Sequence, residues 1–118
     1  MAQDFQPGDF LVFQLESGFA LLRVLARDDA DGNVIWHVAA YDDFYFDVDN
    51  AEAAAKTGSL KPGHPHIALT NRAFESTQVA RLFNSPLSPD DLEPLNAWRA
   101  AGDNPISDRS VRLMIGLR

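Results

Sequence analysis

Three apolar runs rich in aromatic and branched side chains stand within the first forty residues, each too short and too continuous for an amphipathic helix. Phe10 to Leu15 and Phe19 to Leu25 flank Glu16-Ser17-Gly18, where glycine supplies a positive φ for a tight reversal, so the pair reads as a β-hairpin. Asp28-Asp-Ala-Asp-Gly-Asn33 is a second turn signal, and Val34 to Tyr41 follows as a third strand. Side chains alternate across a strand, so Ala20, Leu22, Val24 and Ala26 share one face. Leu21, Arg23, Leu25 and Arg27 share the other, which the arginines mark as at least partly wet. In the third strand Val34, Trp36, Val38 and Ala40 oppose Ile35, His37, Ala39 and Tyr41. The opening is therefore expected to be a three-stranded antiparallel meander.

Beyond it the pattern is less regular. Ala51 to Thr57 holds strong helix formers, with Asp49 or Asn50 as cap and Gly58 just past the end. Pro62 and Pro65 imply a loop from Leu60 to His66. His66 to Thr70 and Phe74 to Leu82 read as two further strands around Asn71-Arg72. Leu92, Leu95, Trp98 and Ala101 recur at helical spacing before Gly102. Ser88 or Asp91 can cap that helix, and Pro94 is tolerated only in a first turn, which favours Asp91. Val111, Leu113, Ile115 and Leu117 alternate with Arg112, Met114 and Gly116 and read as a closing strand.

No linker, repeat or low-complexity stretch divides the 118 residues, so one domain spanning 1–118 is expected. The absence of cysteine removes disulfides, thiolate zinc sites and cysteine nucleophiles. The start carries acid rather than a basic n-region, and no apolar run approaches a membrane span, so the expected location is the cytoplasm. Charge is uneven. Residues 1–60 carry eleven acids against three bases, whereas residues 61–118 carry six against seven, within a total of −7. That balance repels phosphate backbones and anionic lipid; the partner it suits is a basic protein, not nucleic acid or membrane.

Catalytic and metal chemistry find little footing. His37, His64 and His66 are accompanied by no glycine-flanked serine elbow. His64 and His66 would share one side of a strand, and Asp42, Asp43 or Asp47 would be the third ligand, but the prolines imply a loop and no carboxylate stands at a fixed spacing. Asp47 and Asp49 begin like a calcium loop, which fails at Ala51, Glu52 and Gly58. No dinucleotide- or phosphate-binding glycine loop is present. No catalytic, cofactor or metal residue is assigned; a small metal-assisted or small-molecule-processing enzyme around His64 and His66, and a self-assembling subunit, stand as alternatives. The assigned surface is Tyr41, Asp42, Asp43, Tyr45, Asp47 and Asp49. Phe44 and Phe46 are expected in the core, with Tyr41 and Tyr45 on the outer side among the acids. Rings supply contact area and acids steer a basic partner.

Gly8-Asp9-Phe10, Phe13-x-Leu15, Gly18 and Arg23-Val24-Leu25 resemble the opening hairpin of the immunity protein 26 family, bacterial proteins encoded beside polymorphic toxins. The resemblance covers about twenty residues and departs from the family pattern at Ala20-Leu21-Leu22. It implies an SH3-like barrel and a non-enzymatic role in neutralising a toxin by binding. The expected fold is thus mainly β within an α+β class: a small, SH3-like, partly open antiparallel barrel with one short helix and one helix in the C-terminal half.

Overall fold

A computed structural model describes residues 5–16, 18–30 and 32–115. Its centre is a five-stranded antiparallel sheet: β1 (Asp9–Leu15), β2 (Gly18–Ala30), β3 (Asn33–Ala40), β4 (His64–Thr70) and β5 (Ala80–Asn84). The strand order is β4-β3-β2-β1-β5, so the sheet is open, with β4 and β5 at its edges. The expected meander is present: β1 pairs with β2 from Phe10–Arg23 to Leu15–Gly18, and β2 pairs with β3. Asp28 and Asp29, expected in the turn, lie inside β2 opposite Ile35 and Val34.

Among the described residues four helices cover both faces. The first face carries Leu11, Phe13, Ala20, Leu22, Val24, Trp36, Val38, Ala40 and Leu69, sealed by Ala73 and Phe74 of α2 (Asn71–Thr77) and Val111 of α4 (Val111–Ile115). Trp36 stacks on Phe74 with ring centroids 4.3 Å apart, and its indole N–H donates to Asn71. The second face is not wet. Phe10, Val12, Leu21 and Tyr41 pack against Ala51 and Ala55 of α1 (Val48–Lys56), and Leu25 and Ala39 pack against Leu95 of α3 (Pro89–Ala100).

Several expectations are corrected by competing interactions. Residues 71–77 are helical rather than the start of a strand, because Thr70 caps the turn by accepting from the Ala73 N–H, and Ala73, Phe74 and Thr77 bury together. Only Ala80–Asn84 continues as a strand, held on β1. Residues 111–115 form a helix, not a closing strand. The outer side of β4 is already engaged by Ser107, whose N–H donates to Ala68 O and whose carbonyl accepts from Thr70, and Val111 buries beside α2. The remainder of that expected strand, Gly116 and Leu117, lies outside the described residues. α1 begins at Val48, earlier than expected, since Asp47 accepts from the Asn50 N–H.

In α3 the cap is Ser88, and Pro94 sits inside the helix. Two reciprocal bonds fix that start: Asp91 N–H to the Ser88 hydroxyl and Ser88 N–H to the Asp91 carboxylate. Pro89 at the first helical position adds a preset φ. These outweigh the one backbone bond that Pro94 cannot donate.

Two β-bulges decide which side chains meet. Val24 pairs with Val38 but Ala26 pairs with His37, so β2 carries one extra residue, Leu25. Past it the strand exchanges its faces. Ala26 therefore joins the Leu25 and Leu95 cluster instead of Val24, and Arg27, now on the first face, lies over the Trp36 ring at 5.4 Å. In β4, Ile67 pairs with Val38 and His64 with Ala40, again one residue in excess.

Candidate functional site

The segment after β3 is held at two points and exposed between them. Tyr45 bridges to Phe19 in both directions, N–H to carbonyl at 2.8 and 2.9 Å. Gly18 makes that approach possible: a Cβ there would lie 2.7 Å from the Tyr45 carbonyl oxygen. Two residues later Asp47 is tied down as the cap of α1. Phe46 stands between these anchors and is 92% exposed, the most exposed large apolar side chain among the described residues.

The assigned residues divide accordingly. Asp42, Asp43, Asp47 and Asp49 are exposed. Phe44 is half-buried against the first-face core, as expected. Phe46 is not in the core, because the Tyr45 bridge and the helix cap fix the backbone around it and turn its ring outward. Tyr41 is not on the rim with the acids. It closes the second-face cluster beside Phe10, and burial pushes its hydroxyl pKa up. Tyr45 is half-buried; burial, and then the nearby Asp43 charge, raise its pKa as well.

Under Tyr41 runs a cleft of about 560 Å³ between α1, the chain before β4 and the start of α3. Arg23 forms its polar floor. This guanidinium is buried, lies 4.7 Å over the Phe10 ring and donates to Asp91 at 3.1 Å and to the Ser85 and Pro86 carbonyls at 2.9 and 3.1 Å. Its Nε is the one buried side-chain polar atom without a partner among the described residues. Asp91 serves two masters, the helix cap and Arg23, and so fixes α3 to the sheet.

A second polar group lies further along the same face. Past the Leu25 bulge, Asp28 of β2 shares a side with His37 of β3, and His66 of β4 reaches the same side. Asp28 Oδ2 lies 2.9 Å from His37 Nε2, and His37 Nδ1 lies 2.9 Å from His66 Nε2. Arg99 of α3 clamps Asp28 through two bonds of 2.9 Å. Trp98 packs edge-on against His37 and tilted against His66. Hydrogen bonds from Arg99, then from His37, hold the Asp28 carboxyl down at about 2 against the opposing effect of burial. Burial depresses His37, against the pull of Asp28, and burial with the His37 and Arg99 charges lowers His66 to about 4. Near neutrality the group is one carboxylate, one guanidinium and two neutral imidazoles.

Hydrogen-bond chemistry then fixes both tautomers. The ionised Asp28 only accepts, so His37 donates through Nε2–H and its Nδ1 is a lone pair. His66 must fill that acceptor with Nε2–H, which leaves its own Nδ1 as a lone pair. Sequence reasoning paired His66 with His64 instead. The β4 bulge separates them: His64 turns toward Asp42 at 3.7 Å, while His66 turns under α3. Among the described residues no three histidine or acidic side chains gather with metal-ligand geometry. The signal for the true grouping was weak, because an Asp in a turn-like run and a His on an alternating strand both resemble solvated residues.

No family model, curated protein or solved structure matches the chain.

Proposed function

We propose that this chain is a protein-binding module without catalytic activity, which docks the ribbon from Tyr41 to Asp49 on a basic protein surface. The observation that carries this reading is Phe46, held outward at 92% exposure between the Tyr45 bridge and the Asp47 cap. An exposed Phe forgoes about 2 kcal/mol of transfer free energy that an apolar socket on a partner can return. Asp42, Asp43, Asp47 and Asp49 surround it with negative charge, so the matching socket has a basic rim, and encounter is accelerated at low salt. Tyr45 offers a half-buried ring beside the anchor, whereas Tyr41 supports the ribbon from beneath. The narrower form of the proposal, neutralisation of a bacterial toxin by an SH3-like immunity protein, is supported by the resemblance of the opening hairpin.

Affinity capture on the immobilised chain, followed by calorimetry with the captured protein, tests the reading. The expected partner is basic, binds more weakly as salt rises, and loses at least about tenfold in affinity to Phe46→Ser, in line with loss of a central aromatic anchor. Replacing the four acids by Asn should remove most of the salt dependence while keeping a cap at position 47. A partner that binds both variants as tightly as the parent chain overturns the assignment of this surface.

A further inference from the structure

A pocket of about 260 Å³ opens beside His66, walled by Trp98 of α3, by Ala68 of β4 and by Pro105, Ile106 and Ser107. It lies outside the acidic ribbon. Its walls are hydrogen-bonded in place. The Trp98 indole N–H donates to the Pro105 carbonyl at 2.9 Å, which fixes the ring. Ser107 is stitched to β4 through Ala68 at 2.7 Å and Thr70 at 3.0 Å. Sites that are formed before their ligand arrives lose less to ordering on binding.

The polar element of this pocket is unusually well defined. Asp28 orients His37, His37 orients His66, and the chain ends on His66 Nδ1. That atom has no protein partner among the described residues. His66 itself is half-buried and lines the pocket. Because His66 Nε2–H is committed to His37, Nδ1 offers a lone pair and nothing else. The half-buried Trp98 and the exposed Ile106 and Pro105 supply an apolar surround.

We infer that this pocket binds a small aromatic molecule bearing one O–H or N–H donor, with the donor on His66 Nδ1 and the ring against Trp98 and Ile106. The relay explains the choice of donor. A ligand that offers only an acceptor would face a lone pair and leave two acceptors opposed. An anion is disfavoured for the same reason, with Asp28 two links behind. The volume, about 260 Å³, holds a single substituted ring with room to spare.

Phenol and anisole are the probes, since they share a ring and differ in the donor. Long-range proton–nitrogen NMR reads the imidazole nitrogens, and the Trp98 indole resonance reads the wall. Phenol should shift His66 Nδ1 and the Trp98 indole, and bind at least about fivefold more tightly than anisole, the margin of one hydrogen bond. His66→Phe should reduce phenol to the anisole level. Ile106→Trp, at the exposed mouth, should weaken both ligands and leave the His37 and His66 nitrogen shifts of the free protein unchanged. Equal affinity for phenol and anisole overturns the inference. So does failure of phenol to move either resonance, or a preference for phenol that survives His66→Phe.

Discussion

The two faces of the sheet are built from the same strands and solve burial in opposite ways. On the first face Trp36, Val38, Leu22 and Phe13 meet Phe74 and Val111, and the energy is that of apolar contact. On the second, α1 and α3 cover a face that also contains Arg23, Asp28, His37 and His66. There each polar group must be satisfied individually, and the helices are positioned by hydrogen bonds as well as by Leu95 and Ala55. The difference teaches that coverage, not composition, decides whether a charged strand residue is wet. Arg23 is buried because Asp91 of α3 and the Ser85 and Pro86 carbonyls of the chain leading into it descend on it. The apolar face should tolerate change of pH and fail on loss of volume. The polar face should do the reverse.

The largest effect is expected from Trp36→Ala, which empties the first face beside Phe74. A loss of about 3–5 kcal/mol is typical for so large a buried ring, and urea unfolding should show it with little dependence on pH. Next comes Arg23→Met, which keeps an unbranched apolar stem but removes the guanidinium over Phe10. The Ser85 and Pro86 carbonyls then lose their Arg23 donor, and among the described residues Asp91 keeps only the Ser88 N–H. About 1–3 kcal/mol is expected, less than for a sealed pair because Asp91 is partly solvated. A loss equal to that of Trp36→Ala would erase the contrast between the faces.

The pH dependence sharpens the comparison. His37 and His66 have folded pKa values below their ordinary 6.5, His66 at about 4. Between those values the unfolded chain binds more protons, so stability is full above about 6.5 and falls as the pH drops toward 4. Asp28, lowered from 3.8 to about 2, extends the loss below 3.8. Urea midpoints measured from pH 7 to 4.5 should decline in the parent chain and flatten when His37 and His66 are both replaced by Gln. An equal slope in that variant would place the acid sensitivity elsewhere. The smallest effect belongs to Phe46→Ser, expected within about 0.5 kcal/mol of the parent because its ring touches little. A large loss would mean that Phe46 packs inward.

Much of the first face could be read from alternation alone, since Ala20, Leu22, Val24, Val34, Trp36 and Val38 take the sides that a period of two gives them. The reading broke at Ala26 and Arg27, where one extra residue exchanges the faces and no local signal announces it. It broke again at residues 71–77 and 111–115, short segments in which strand-like and helix-like spacing coincide and a cap or an occupied edge decides. In the ribbon the acids were legible as exposed, but Phe46 and Tyr41 were transposed. Their sides depend on the bridge to Phe19 and on the α1 cap, neither of which a sequence pattern encodes. Asp28, His37 and His66 are far apart in the chain and gather only because of the Leu25 bulge.

An unclosed sheet leaves two borders along which a foreign strand can add itself. Here both borders are poor templates. On the β4 side Ser107 takes the bonding positions near Ala68 and Thr70, and Pro65 withholds an amide where the remainder would begin. On the β5 side the ladder is five residues long, is irregular between Phe83 and Arg81, and carries the Arg81 charge. Growth by strand addition is thereby discouraged at both ends, and crowded molecules of this chain should meet through side chains in preference to backbones.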